Sequence, residues 1–146
     1  MRTSETIAAL AKSLAAAQVD IQDPAMSGKG QVGGGKSAAR IYPYALLTDV
    51  LAVARKALGG QSVFFTQSVD IDRNVMVTRL IHSSGEWMEM DYPMAPRQSD
   101  PQKQGSANTY ARRYSLMSIL GVAGELDDDG AGAKSRSKSE ADTEEA

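Results

Sequence analysis

Residues 61–92, QSVFFTQSVDIDRNVMVTRLIHSSGEWMEMDY, carry the strand signal of this chain. From Gln61 to Asp70 the apolar residues alternate, putting Val63, Phe65 and Val69 on one face. From Val75 to His82 the alternation continues, with Val75, Val77, Arg79 and Ile81 opposite Met76, Thr78, Leu80 and His82. Asp70 to Asn74 and Ser83-Ser84-Gly85 have the composition of turns, and Glu86 to Tyr92 is a third strand carrying Trp87. The pattern predicts a small antiparallel three-stranded meander.

On either side the period changes from two to between three and four. Pro93, Pro96 and Pro101 interrupt the chain; Ser106 then caps a predicted helix from Ala107 to about Leu120, closed by Gly121 and Gly124. Upstream, Tyr44, Leu47, Leu51, Ala54 and Leu58 form a helical stripe behind Pro43, stopped by Gly59-Gly60. Ile7, Leu10, Ala11 and Leu14 mark a first helix, with Thr3 or Ser4 as its cap and Glu5 in its first turn. Residues 25–37 hold five Gly without apolar periodicity and read as a flexible loop. Two helices, three strands and a helix predict an α+β domain over residues 1–124, its helices on one face of the sheet.

Composition narrows the chemistry. The 146 residues are 42% apolar and 23% charged, enough for one core, and there are no Cys and one His. Thiol nucleophiles, disulfides and thiolate zinc sites are excluded, and His82 lacks a second imidazole for a His-rich metal site. No run of 18 apolar residues or convincing secretory signal occurs, so a cytoplasmic protein is expected. Residues 125–146 carry 8 acidic and 3 basic side chains, whereas residues 1–124 carry 10 acidic and 13 basic. A mildly basic body therefore precedes an acidic tail that is too poor in large apolar groups to fold and is expected to be disordered. That asymmetry suits a polyanionic partner.

Several motifs compete as sites. Gly30 to Ser37, GQVGGGKS, matches the phosphate-loop (P-loop) pattern, with Lys36 as its cation. The mechanism needs a buried strand before the loop and a helix after it; Asp23, Pro24 and Gly28 precede it here and Pro43 follows. Glu86, Glu89 and Asp91, or Asp127-Asp128-Asp129, have the composition of a Mg²⁺ site, although a solvated sheet face looks the same. His82, beside Leu80 and Thr78, reads as a hydrogen-bonded structural residue. Lys103 to Tyr114, KQGSANTYARRY, is more informative. On a helix, Tyr110 and Tyr114 lie one turn apart with Arg112 and Arg113 beside them, and Lys103, Gly105 and Ser106 fall at a phosphate-attracting N-terminus. The expectation is that the tyrosines pack inward while at least one Arg points outward or enters a salt bridge.

Taken together, Val77-Thr78 through Trp87, Asp100-Pro101-Gln102, Gly105-Ser106 with Thr109-Tyr110 and Arg112-Arg113-Tyr114, Leu120-Gly121 and Asp127 to Gly130 resemble the ERF (essential recombination function) family of phage single-strand annealing proteins. The resemblance covers Tyr42 to about Gly130. It implies an ATP-independent recombinase, with a β-β-β-α core, that binds single-stranded DNA, anneals complementary strands and assembles into rings or filaments. It implies neither bond-breaking catalysis nor a cofactor. Annealing needs cations on phosphates rather than groove readers, so Lys103, Arg112, Arg113, Arg79 and Arg73 are the expected DNA contacts. Tyr110, Tyr114 and Trp87 are expected to pack, and His82, Gly105, Ser106 and Thr109 to complete the motif. The acidic tail would compete with DNA, recruit replication or repair proteins, or simply solubilise. A small metal-dependent nuclease or a phosphate-loop nucleotide-binding protein is the alternative.

Overall fold

The computed structural model of the chain describes residues 1–36 and 38–127. In order it has strand β1 (Arg2–Thr3), helix α1 (Ala8–Asp20), strands β2 (Gly28–Val32) and β3 (Arg40–Tyr44), helix α2 (Leu47–Gly59), strands β4 (Val63–Asp70), β5 (Val75–His82) and β6 (Trp87–Pro93), and helix α3 (Pro101–Leu120). The class is α+β. Strands β4 to β6 form the expected meander, with Val69 opposite Met76 and Leu80 opposite Met88.

The sheet has four strands rather than three, in the order β1-β6-β5-β4. Two residues show no alternation, so β1 was invisible as a pattern; it is held instead by Arg2 and Thr3 pairing with Glu89 and Met88. One sheet face is covered. There Val63, Phe65, Leu80 and Met88 meet Leu10 of α1, Val50, Leu51, Ala54 and Leu58 of α2, and Leu116, Met117 and Leu120 of α3. Fully burying each Leu or Val contributes about 1.5–3 kcal/mol before chain entropy is counted. The other face, with Phe64, Arg79, Ile81, Trp87, Glu89 and Asp91, has no helix over it among the described residues.

Helix boundaries depart from the expectation, and the side chains that cap each helix show why. Helix α1 starts at Ala8, not behind Thr3 or Ser4: Ser4 Oγ accepts from Trp87 N at 2.9 Å. The N–H groups of Ala9 and Leu10 donate to Glu86 Oε2 at 3.0 and 3.1 Å. Helix α2 starts at Leu47; Pro43 and Tyr44 belong to β3, and the Asp49 carboxylate accepts from the N–H groups of Leu46 and Ser27. Helix α3 begins six residues earlier than Ala107, because Asp100 accepts from Gln102 N at 2.8 Å and Pro101 occupies the first turn. Lys103 is therefore in the first turn, while Gly105 and Ser106 lie inside the helix. Residues 25–37 are not simply a loop, since Gly28–Val32 pairs with Arg40–Tyr44 as a hairpin. The expected disordered tail falls, from residue 128 onward, outside the described residues.

Candidate functional site

The β2–β3 hairpin forms a two-stranded sheet of its own. Its register sets Gly28 opposite Tyr44 and Gly30 opposite Tyr42, so these four residues share a face. Each tyrosine ring lies over the glycine across from it: a Cβ on Gly28 would strike the Tyr44 ring, and one on Gly30 the Tyr42 ring. The absent side chains thus seat the rings. Tyr42 and Tyr44 are 6.2 Å apart by ring centroid and tilted by 43°. Between Pro24 and Thr48 the sequence has Lys29, Lys36 and Arg40 and no acidic residue, so the hairpin region carries all of the net +3 of residues 1–124.

Helix α3 continues the aromatic track. Gln102, Ser106, Thr109 and Arg113 recur at spacings of four, three and four, forming one helical stripe flanked by Gly105 and Tyr110. With Tyr44 and Leu46 this stripe lines an open cleft of about 610 Å³. Arg113 forms its floor. Its guanidinium lies 4.8 Å from the Tyr44 ring centroid, 4.9 Å from Tyr114 and 5.8 Å from Tyr110, a cation–π cage that joins hairpin to helix. One nitrogen donates to Ala45 O at 3.2 Å and another is 3.7 Å from Glu125 Oε1. Nε is buried with no hydrogen-bond acceptor among the described residues. The Tyr110 and Tyr114 rings meet at 4.4 Å between centroids, tilted by 44°, and the Tyr114 hydroxyl donates to Glu125. Burial first, and Glu125 second, raise the Tyr114 hydroxyl far above the ordinary tyrosine range.

A model of the ERF superfamily matches residues 10–146. The chain belongs to the ERF superfamily. No curated protein and no solved structure matches it.

The ERF motif residues Gly105, Ser106, Thr109, Tyr110 and Arg113 therefore stand together on the cleft, but two expectations change. Tyr110 does not pack inward: it is 53% exposed at the rim, and Tyr42, 42% exposed, continues the track. Arg112 does not act beside Arg113. Residues adjacent in sequence diverge by about 100° around a helix, and Arg112 turns to the far side of α3, where its Nε is 3.4 Å from Gln67 Oε1. The hairpin tyrosines were missed because β2 has two glycines in five residues and reads as a breaker. The usable signal was the pairing of Gly28 and Gly30 with Tyr44 and Tyr42 across a Gly-rich turn.

Arg73 and Arg79 lie elsewhere, on the open sheet face. Arg79 Nε reaches Glu89 at 2.7 Å, Arg2 reaches Glu89 at 2.6 Å and Asp91 at 2.8 Å, and Arg73 joins Asp91 at 2.6 Å to Asp70 at 2.8 Å. Trp87 lies under Arg79, 4.3 Å from its guanidinium carbon. Hydrogen bonds from Arg2 and Arg73 lower the Asp91 carboxyl, and Arg73 lowers Asp70. For Glu89, burial alone would raise the carboxyl, but Arg79 and Arg2 outweigh it and the net direction is down.

The acidic trio proposed for a metal is thus engaged: Glu89 and Asp91 hold guanidinium groups, and Glu86 caps α1. Of the acidic triplet in the tail, Asp128 and Asp129 lie outside the described residues. The phosphate-loop match folds as a hairpin turn, in which Gly33, Gly34 and Gly35 have positive φ; Arg40–Tyr44 after it is a strand, not the helix that a nucleotide site requires. His82 Nδ1 accepts from Ser84 N at 3.0 Å in the turn after β5. Among the described residues no helix is long and apolar enough to cross a membrane.

Proposed function

We propose that this ERF protein binds single-stranded DNA along the track from the β2–β3 hairpin to α3 and anneals complementary strands without nucleotide hydrolysis. The carrying observation is the continuous tyrosine–guanidinium track: Tyr42, Tyr44, Arg113 and Tyr110, with its outer rings exposed and its cations on the hairpin. Phosphates meet Lys29, Lys36, Arg40 and Lys103, for none of which an ion pair with a carboxylate occurs among the described residues. Bases stack on Tyr42 and Tyr110, a contact that tolerates any sequence because every base has a π face. Base edges stay available for pairing.

Gly105 supports this reading. A glycine inside a helix costs about 1 kcal/mol relative to Ala, yet a Cβ there would meet nothing within 4 Å among the described residues beyond its own stretch of helix. No contact among the described residues requires it, and a strand entering the cleft benefits from the missing side chain.

A body charge of +3 gives weak affinity per chain, so binding draws on several copies in a ring or filament, each adding contacts to one strand at high effective concentration. Phage recombination in a bacterial cytoplasm is the setting in which such an activity operates. The acidic tail leaves beside the cleft: Glu125 pairs with Tyr44 across an isolated bridge and contacts Tyr114. Truncation after Asp127 tests whether the tail competes with DNA or recruits partner proteins; unchanged DNA affinity and no lost partner leave it a solubilising end.

The deciding experiment is annealing of two labelled complementary oligonucleotides without nucleotide, with a noncomplementary pair as control. Salt-sensitive acceleration above the spontaneous rate is expected. Neither acceleration nor binding at low salt would overturn the reading.

A further inference from the structure

On the far side of α3 from the tyrosine cleft lies a second cationic cleft, of about 420 Å³, between α2, β4 and α3. Arg55 of α2 and Arg112 of α3 line it together with Phe64 and Gln67. Arg55 is exposed, and neither arginine has a carboxylate partner among the described residues.

A buried polar cluster holds Arg112 in place. Gln67 Nε2 shares its two protons among Thr78 Oγ1 at 3.0 Å, Arg112 O at 2.9 Å and Ser115 Oγ at 3.1 Å, while its Oε1 accepts from Arg112 Nε. Thr78 and Ser115 are fully buried and 2.8 Å apart. Polar groups in the middle of a sheet–helix contact must be mutually satisfied, and apolar residues of the same shape would serve stability as well. What this cluster adds is direction. It fixes a guanidinium at a cleft where no acid among the described residues pairs with it.

We propose that this cleft is a second nucleic-acid site, in which Arg55 and Arg112 hold the phosphodiester backbone, so that neighbouring Arg112 and Arg113 serve two strands on opposite sides of one helix. The inference rests on the reading that the chain binds single strands at the tyrosine cleft. Annealing brings together two chains of like charge, and a cationic track for each offsets their repulsion before pairing begins.

The test is calorimetric titration of the full chain with a short oligothymidylate at low salt, which counts sites per chain whatever the oligomeric state. The wild type should bind two per chain, Arg55→Glu one, and Tyr42→Ala with Tyr110→Ala only the other. Losing a charged hydrogen bond should slow annealing by Arg55→Glu roughly tenfold, with the remaining site within about twofold of its original affinity. Arg112→Gln should repeat this, and because Arg55 is exposed and unpaired, a folding defect in the Arg112 variant would not obscure the outcome. One site per chain in the wild type, or two sites and full annealing in Arg55→Glu, would overturn the second site while leaving the first. No binding by the wild type would instead remove the functional reading on which both depend.

Discussion

The open face of the sheet and the hairpin–α3 cleft each display arginine beside an aromatic ring, yet only one of them is equipped to bind a polyanion. On the open face Arg2, Arg73 and Arg79 meet Asp70, Glu89 and Asp91, so three cations face three carboxylates. At the cleft Arg113 is caged by tyrosines, and the hairpin beside it has three cations and no acid. Pairing, rather than the count of basic residues, separates the two. A phosphate approaching the open face must break ion pairs already made; one approaching the hairpin displaces only water and salt ions.

The largest expected effect is at the exposed rings. Replacing Tyr42 and Tyr110 together by Ala should weaken oligonucleotide binding by at least about 2 kcal/mol, roughly thirtyfold in Kd, while the melting temperature stays near that of the wild type. Fluorescence anisotropy with parallel thermal melts checks both; retained affinity would take bases off the track. Arg79→Ala should do the reverse. Glu89, 5% exposed, loses one of its two charged partners, so unfolding in urea should show a loss of about 1–3 kcal/mol, with DNA affinity held within about twofold. A large fall in affinity without destabilisation would bring the open face into the DNA path.

Salt dependence sharpens the contrast further. Changing Lys29, Lys36 and Arg40 to Gln should reduce the slope of log affinity against log salt by about 2, at about 0.7 per cation for a single strand. The same exchange at Arg2, Arg73 and Arg79 should leave that slope in place.

Acid should act on the open face first. The carboxyls of Asp70, Glu89 and Asp91 are lower in the folded chain than in the unfolded one, so the folded state binds fewer protons. Their stabilisation is complete above the unfolded carboxylate range near about pH 4 and is lost as pH falls through the folded values. Melting curves between neutrality and strong acid should show this decline, and Arg2→Gln should make it shallower. The smallest effect is expected at Asp100→Ala, which removes the α3 cap and should cost about 1 kcal/mol by chemical denaturation, leaving the cleft geometry intact.

Local periodicity made much of this protein legible. Alternation in residues 61–92 determined the meander, the apolar stripes placed α1, α2 and the second half of α3, and the motifs from Val77 to Arg113 pointed to the ERF superfamily. Those signals depend on neighbours within one turn or one strand, which is the range over which a sequence pattern is physical. Tertiary structure decided the rest. The bond from Arg2 to Glu89 spans 87 residues and that from Glu86 to Ala9 spans 77, so no local period announces either. Sheet order turned Arg73, Arg79, Glu89 and Asp91 into a neutral network, hairpin register laid Tyr42 and Tyr44 over glycines, and the helical turn sent Arg112 and Arg113 to different clefts. Charges and rings act through distances of a few ångströms, and folding alone sets which of them lie that close.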